Sequence, residues 1–140
     1  MTRIDFHTHV DHPLSHTCKV LRKARAAGNQ CVVFCSRESV LDELDKLLWT
    51  FSPLDFLPHV YAHDALASAT PILLAASVAD TAHHDVLINL DDTSPTFFSR
   101  FERVIEVVGT DENAAVAGRM RYKFYKERGY ELAHHRMDGA

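Results

Sequence analysis

The stretch RIDFHTHVDHP, residues 3–13, decides how the chain is read. Ile4, Phe6, Thr8 and Val10 alternate with Asp5, His7 and His9, which is the period of a β-strand with one drier and one wetter face. His7, His9, His12 and His16 all fall within this strand and the turn and helix start that follow it. The segment is therefore either the opening of a metal site or a strand that carries histidines for other reasons.

The DFHTH core resembles the HxH pair with which metal-dependent amidohydrolases begin. Length argues against that fold. The chain has 140 residues, whereas such a barrel needs roughly 200 or more and takes further ligands from later strands. Three neutral imidazoles from His7, His9 and His12 could hold zinc only with a carboxylate or water completing the shell. The plainer expectation is a half-exposed edge strand whose outer face is polar.

Working outward, Pro13 suits the first turn of a helix, and Leu14, Cys18, Leu21 and Arg25 follow at helical spacing up to Gly28, a C-cap glycine. QCVVFCS (30–36) is a short, continuously apolar run of strand length. Ser39 and Asp42 suggest a capping box before the Leu41, Leu44, Leu48 stripe, which ends at Trp49. PILLAAS (71–77) and DVLINL (85–90) read as strands, and SPTFFSRFE (94–102) as a short helix opened by Ser94 and Pro95. RVIEVVG (103–109) is a β-branched strand, and Thr110 or Asp111 starts a long helix that Gly129 ends.

Helices alternating with continuously apolar strands predict a single α/β domain over residues 1–131, a mostly parallel sheet covered by helices. The layering is Rossmann-like without a nucleotide-binding loop. The five glycines form neither GxGxxG nor GxxxxGK[ST], so a pyrophosphate cannot be cradled and no cofactor is expected. Residues 132–140 are polar and unpatterned and read as a frayed tail.

Composition fits a soluble protein, with 46% apolar and 24% charged residues. No apolar leader opens residues 1–8, and three cysteines without framework spacing suggest a reducing compartment, so a cytoplasmic location is expected. Cys31 and Cys35 are too far apart along a strand, roughly 13 Å, to share one ion. They and Cys18 read as buried apolar residues. His83 and His84 read as solvated loop residues. No GxSxG elbow and no carboxylate set for two-metal nucleotidyl transfer is present, so the chain is not expected to be catalytic.

The net charge of −4 hides an asymmetry. Arg119, Arg121, Lys123, Lys126 and Arg128 stand against Glu127 alone, giving residues 119–128 a charge of +4 and the rest −8. Arg119, Tyr122, Lys123 and Lys126 share one helix face, a basic surface with an aromatic on it. Such a face suits an acidic peptide or a phosphate strand.

The blocks LDELDKLLWT, FLPH, PILLAA, DVLINL and RMRYKFYKERGYEL, in this order, resemble the chi subunit family of bacterial DNA polymerase III holoenzyme. The resemblance implies an accessory subunit for DNA replication with no catalytic centre and two protein partners. One is psi, which ties chi to the clamp loader. The other is the acidic C-terminal tail of the single-stranded DNA-binding protein, so that DNA contact is mainly indirect. It assigns Trp49 and Phe56 to psi, and Val108, Arg119, Arg121, Tyr122 and Lys123 to the tail. Two alternatives stand beside it: a small metal-dependent hydrolase using His7 and His9, and a direct single-stranded nucleic-acid binder using the C-terminal basic helix.

Overall fold

A computed structural model describes residues 1–51, 57–77 and 81–138. Seven strands and three helices are seen among them. The strands are β1 (Arg3–Val10), β2 (Cys31–Phe34), β3 (His59–Tyr61), β4 (Ile72–Ala75), β5 (Val86–Asn89), β6 (Arg103–Gly109) and β7 (Glu131–Arg136). The helices are α1 (Pro13–Ala26), α2 (Glu38–Thr50) and α3 (Glu112–Glu127).

The strands form one parallel sheet in the order β3-β4-β2-β5-β6-β1-β7. Its central strands are wholly buried, because helices cover both faces, and this is why they read as unbroken apolar runs. On one face α1 and α2 bury Cys18, Leu21, Leu41, Leu44 and Leu48 against Cys31, Val33, Ile72 and Ile88. On the other, Tyr125 of α3 joins Ile4, Phe6, Val32, Phe34, Val104 and Val108. The single-domain α/β fold is the expected one.

The helix ends follow local chemistry. Gly28 and Gly129 adopt φ of 83° and 79°, left-handed values that only glycine takes without strain, and each closes its helix. Asp111 caps α3 by accepting the Ala114 amide at 2.8 Å. The Ser39–Asp42 capping box does not form. Helix α2 starts at Glu38, with Arg37 in the cap position and no side-chain bond there. The expected helix at 94–102 shrinks to a 3-10 turn, Phe98–Arg100, because Phe97, Phe98 and Phe101 are all drawn into the core.

Two larger expectations fail at the chain ends. Residues 132–136 of the expected tail are not frayed: with Glu131 they form β7, which pairs with β1 from Arg3↔Glu131 to Thr8↔Arg136. Its side chains are mostly exposed, so it lacks the apolar pattern that marks a strand, and backbone pairing places it. Strand β1 is consequently not an edge. It lies between β6 and β7, and Asp5 at its centre is fully buried, ion-paired with Arg103.

Candidate functional site

Helix α3 lies on the sheet with its basic residues beside the ends of β1 and β6. Gly118 makes the close approach possible, since a Cβ there would stand 2.9 Å from Val108 Cγ1 and 3.0 Å from Cγ2. The Tyr122 ring packs edge-on against Phe6, with centroids 5.2 Å apart. Phe6, Val108 and Tyr122, together with Arg119, Lys123 and Lys126, line an open groove of about 580 Å³. Its apolar residues come from three elements, and its cations all come from α3. Lys123 is paired only loosely with Glu127, at 3.8 Å across an exposed surface, an arrangement that contributes little to stability. The structure thus brings together Val108, Arg119, Tyr122 and Lys123, four of the five residues assigned to the tail.

Arg121, the fifth, is not in the groove. One position on a helix is a 100° turn, and this side chain runs to the sheet, where it is only 5% exposed. Its Nε donates to Glu106 Oε1 at 2.9 Å and its Nη1 to the Asp92 carbonyl at 2.9 Å. Glu106 is fully buried and also accepts from Asn89 Nδ2 at 2.9 Å and the Tyr125 hydroxyl at 2.6 Å. Burial pushes the Glu106 carboxyl up, against the pull of Arg121, Tyr125 and Asn89. Arg121 is therefore a buried, ion-paired cation rather than an exposed one. Its basic neighbours in sequence hid this, because a run of charges reads as one solvated face.

The histidines separate as well. Val10 resumes pairing after a register shift that follows His7, and His9 takes φ of 56°, so the alternation of β1 breaks there. His9 turns into the α3 groove with Phe6 and Thr8, while His7 stays on the α1 side. There His7 Nδ1 meets His16 Nε2 at 2.8 Å, and the His135 ring stands 5.5 Å away. Burial, aided by His16 and His135, lowers the His7 pKa to about 4. The shared face that a His7–His9 hydrolase needs is absent. Among the described residues no group of three or more His, Cys, Asp or Glu is placed to hold a metal ion.

Thr8, His9 and His134 line the groove too, although nothing in the sequence placed them beside α3. His134 is opposite Phe6 in the β1–β7 register, which puts it on the α3 side. The three cysteines are buried, and burial pushes Cys18 up to about 11 and Cys31 up to about 12, where thiolate chemistry is suppressed. His83, expected in solvent, is buried instead with its Nε2 2.6 Å from the Thr70 carbonyl, whereas His84 is exposed.

At the other end of the molecule Trp49 is 57% exposed at the end of α2. Its ring rests on His59, with centroids 4.5 Å apart. His59 is itself fixed by Asp45 at 2.9 Å and the Leu57 carbonyl at 2.7 Å. Phe56 lies outside the described residues.

The family model described as "DNA polymerase III chi subunit, HolC" matches residues 1–133. The chain belongs to the DNA polymerase III chi subunit family. Its match to the DNA polymerase III subunit chi of Pseudomonas aeruginosa is 34% identical and spans 98% of both chains. The corresponding proteins of Haemophilus influenzae and Escherichia coli are 28% and 25% identical, over 83% and 82% of this chain and 81% and 79% of theirs. This chi-family chain is thus of a non-catalytic accessory type. No helix among its described residues is long and apolar enough to cross a membrane.

Proposed function

We propose that the chain is an adaptor of bacterial DNA replication. It joins the clamp loader, through psi, to the acidic C-terminal tail of the single-stranded DNA-binding protein. The observation that carries this reading is the groove, which has an apolar floor of Phe6, Val108 and Tyr122 and cations along one rim. A peptide that ends in an aromatic residue with a free carboxylate, preceded by acidic residues, has the matching chemistry. The aromatic would enter the apolar slot. Arg119 would offer the carboxylate a bidentate fork, and Lys123 and Lys126 would attract the acidic segment. Trp49 supports a separate psi contact, because an exposed indole on a braced histidine loses little freedom when covered.

Titration calorimetry with an acidic peptide ending in Pro-Phe, at two salt concentrations, tests the tail contact. Arg119→Ala is expected to cost roughly 1.5–3 kcal/mol, as a charge-assisted bond does. Lys126→Ala is expected to cost less than about 1 kcal/mol, an effect that fades at high salt. Equal losses, with the terminal aromatic dispensable, would mean a diffuse basic surface and favour direct nucleic-acid binding.

A further inference from the structure

The groove has a second wall. Opposite the cations of α3, the Thr8 hydroxyl lies 2.6 Å from His134 Nε2 and 3.0 Å from His9 Nδ1. Strand β7 supplies one imidazole and the break at the end of β1 supplies the other. Both line the same groove as Arg119, Tyr122 and Lys123.

Counting protons on this triad shows what it does. A threonine hydroxyl has one hydrogen to donate and two lone pairs to accept with. With both imidazoles neutral, Thr8 donates to one ring, whose remaining nitrogen carries N–H. The other ring donates to Thr8, and its remaining nitrogen is a bare lone pair. The neutral wall therefore offers an approaching carboxylate one donor and one repelling acceptor. Adding one proton to that lone pair keeps both bonds to Thr8 and makes both remaining nitrogens donors, with one positive charge between them.

We infer that His9 and His134, bridged by Thr8, are a protonatable wall that grips a carboxylate of the bound acidic peptide, so that binding takes up a proton. This rests on the tail-binding reading of the groove given above. The charged groups around the wall fit it. Across the groove stand Arg119, Lys123 and Lys126. Just past β7, Asp138 is attracted to His9 but is held by Arg136, at 2.7 Å. An acidic peptide lying between the walls neutralises the three cations and brings carboxylates to the imidazoles. The proton moves from solvent to imidazole as the peptide arrives. Imidazoles as a class change charge between pH 5 and 8, so the coupling is sought within that range.

The test is titration calorimetry of the full chain with an acidic peptide ending in Pro-Phe, at pH 7, in two buffers of different ionisation enthalpy. The expected result is an uptake approaching one proton per peptide and a several-fold tighter Kd at pH 6 than at pH 8. His9→Gln/His134→Gln should abolish the uptake, flatten the pH profile and weaken binding several-fold at pH 6. The single variant His134→Gln, checked for an unchanged melting temperature, gives the same reading should the double variant misfold. Tight binding with no proton uptake overturns the inference and leaves the adaptor reading standing. Uptake that persists in a folded variant also overturns it, since the proton then goes elsewhere. Failure of the peptide to bind at either pH removes the adaptor reading and this inference together.

Discussion

Replacing Arg121 by Met separates the two arginines that the sequence grouped together. The side chain is almost fully buried, and its partner Glu106 is wholly so. Met keeps most of the volume but removes the charge and two hydrogen bonds, to Glu106 and to the Asp92 carbonyl. Breaking one side of a buried ion pair costs about 3–5 kcal/mol, because the other charge is left behind. Glu106 keeps Tyr125 and Asn89 as donors and can escape by protonation, which places the expected loss near the lower end, about 3 kcal/mol. Unfolding entropy of roughly 2.1 cal/mol/K per residue makes each kcal/mol worth about 3–4 °C in a chain of this length, so Tm should fall by about 10 °C. The pH dependence has a definite sign. Without the guanidinium the Glu106 carboxyl moves further up, above its unfolded value, so its contribution to the variant's stability is present at low pH and lost as pH rises. The deficit against the parent should therefore be smaller at pH 5 than at pH 8. Adding Glu106→Gln should recover part of the loss, since a neutral amide oxygen can still accept from Tyr125. Thermal melts followed by circular dichroism at both pH values read all of this. A loss under about 1 kcal/mol, combined with weakened tail-peptide binding at an unchanged Tm, would refute the reasoning and return Arg121 to the groove.

Three further outcomes are expected. Gly118→Ala should cost about 1–2 kcal/mol in denaturant unfolding despite alanine's better helix propensity, because both Val108 methyls meet the new Cβ; Val108→Ala in the same chain should restore much of it. His7 has a folded pKa of about 4, below its unfolded value of 6.5, so its contribution is present above pH 6.5 and lost as pH falls toward 4. For this half-buried ring that amounts to about 1–2 kcal/mol after allowance for solvent, and the acid slope of stability, read from denaturant unfolding across pH, should flatten in His7→Phe. Trp49→Ala should change Tm little, given the exposure of the indole, yet weaken psi binding by about 2 kcal/mol or more with tail-peptide affinity untouched in calorimetry.

Periodicity alone determined the layered α/β domain, because strands buried on both faces must be apolar throughout and the helices covering them must carry a stripe. Local chemistry also set the ends of α1 and α3, where Gly28, Asp111 and Gly129 satisfy backbone groups within one turn. The face holding Arg119, Tyr122, Lys123 and Lys126 was legible for the same reason, as a short-range consequence of helical spacing. Most of what escaped depended on contacts distant in sequence. Strand β7 is ordered by pairing with β1, residues more than a hundred positions away, and its polar side chains carry no signal of that. The same pairing takes β1 off the edge, buries Asp5 and brings His134 to Thr8. Arg121 is drawn inward by Glu106 on another element, and charge in a sequence does not tell a solvated cation from one that a buried carboxylate holds. His9 left its expected face through a single left-handed residue, and one backbone angle moved the imidazole from an imagined metal site into the groove beside α3.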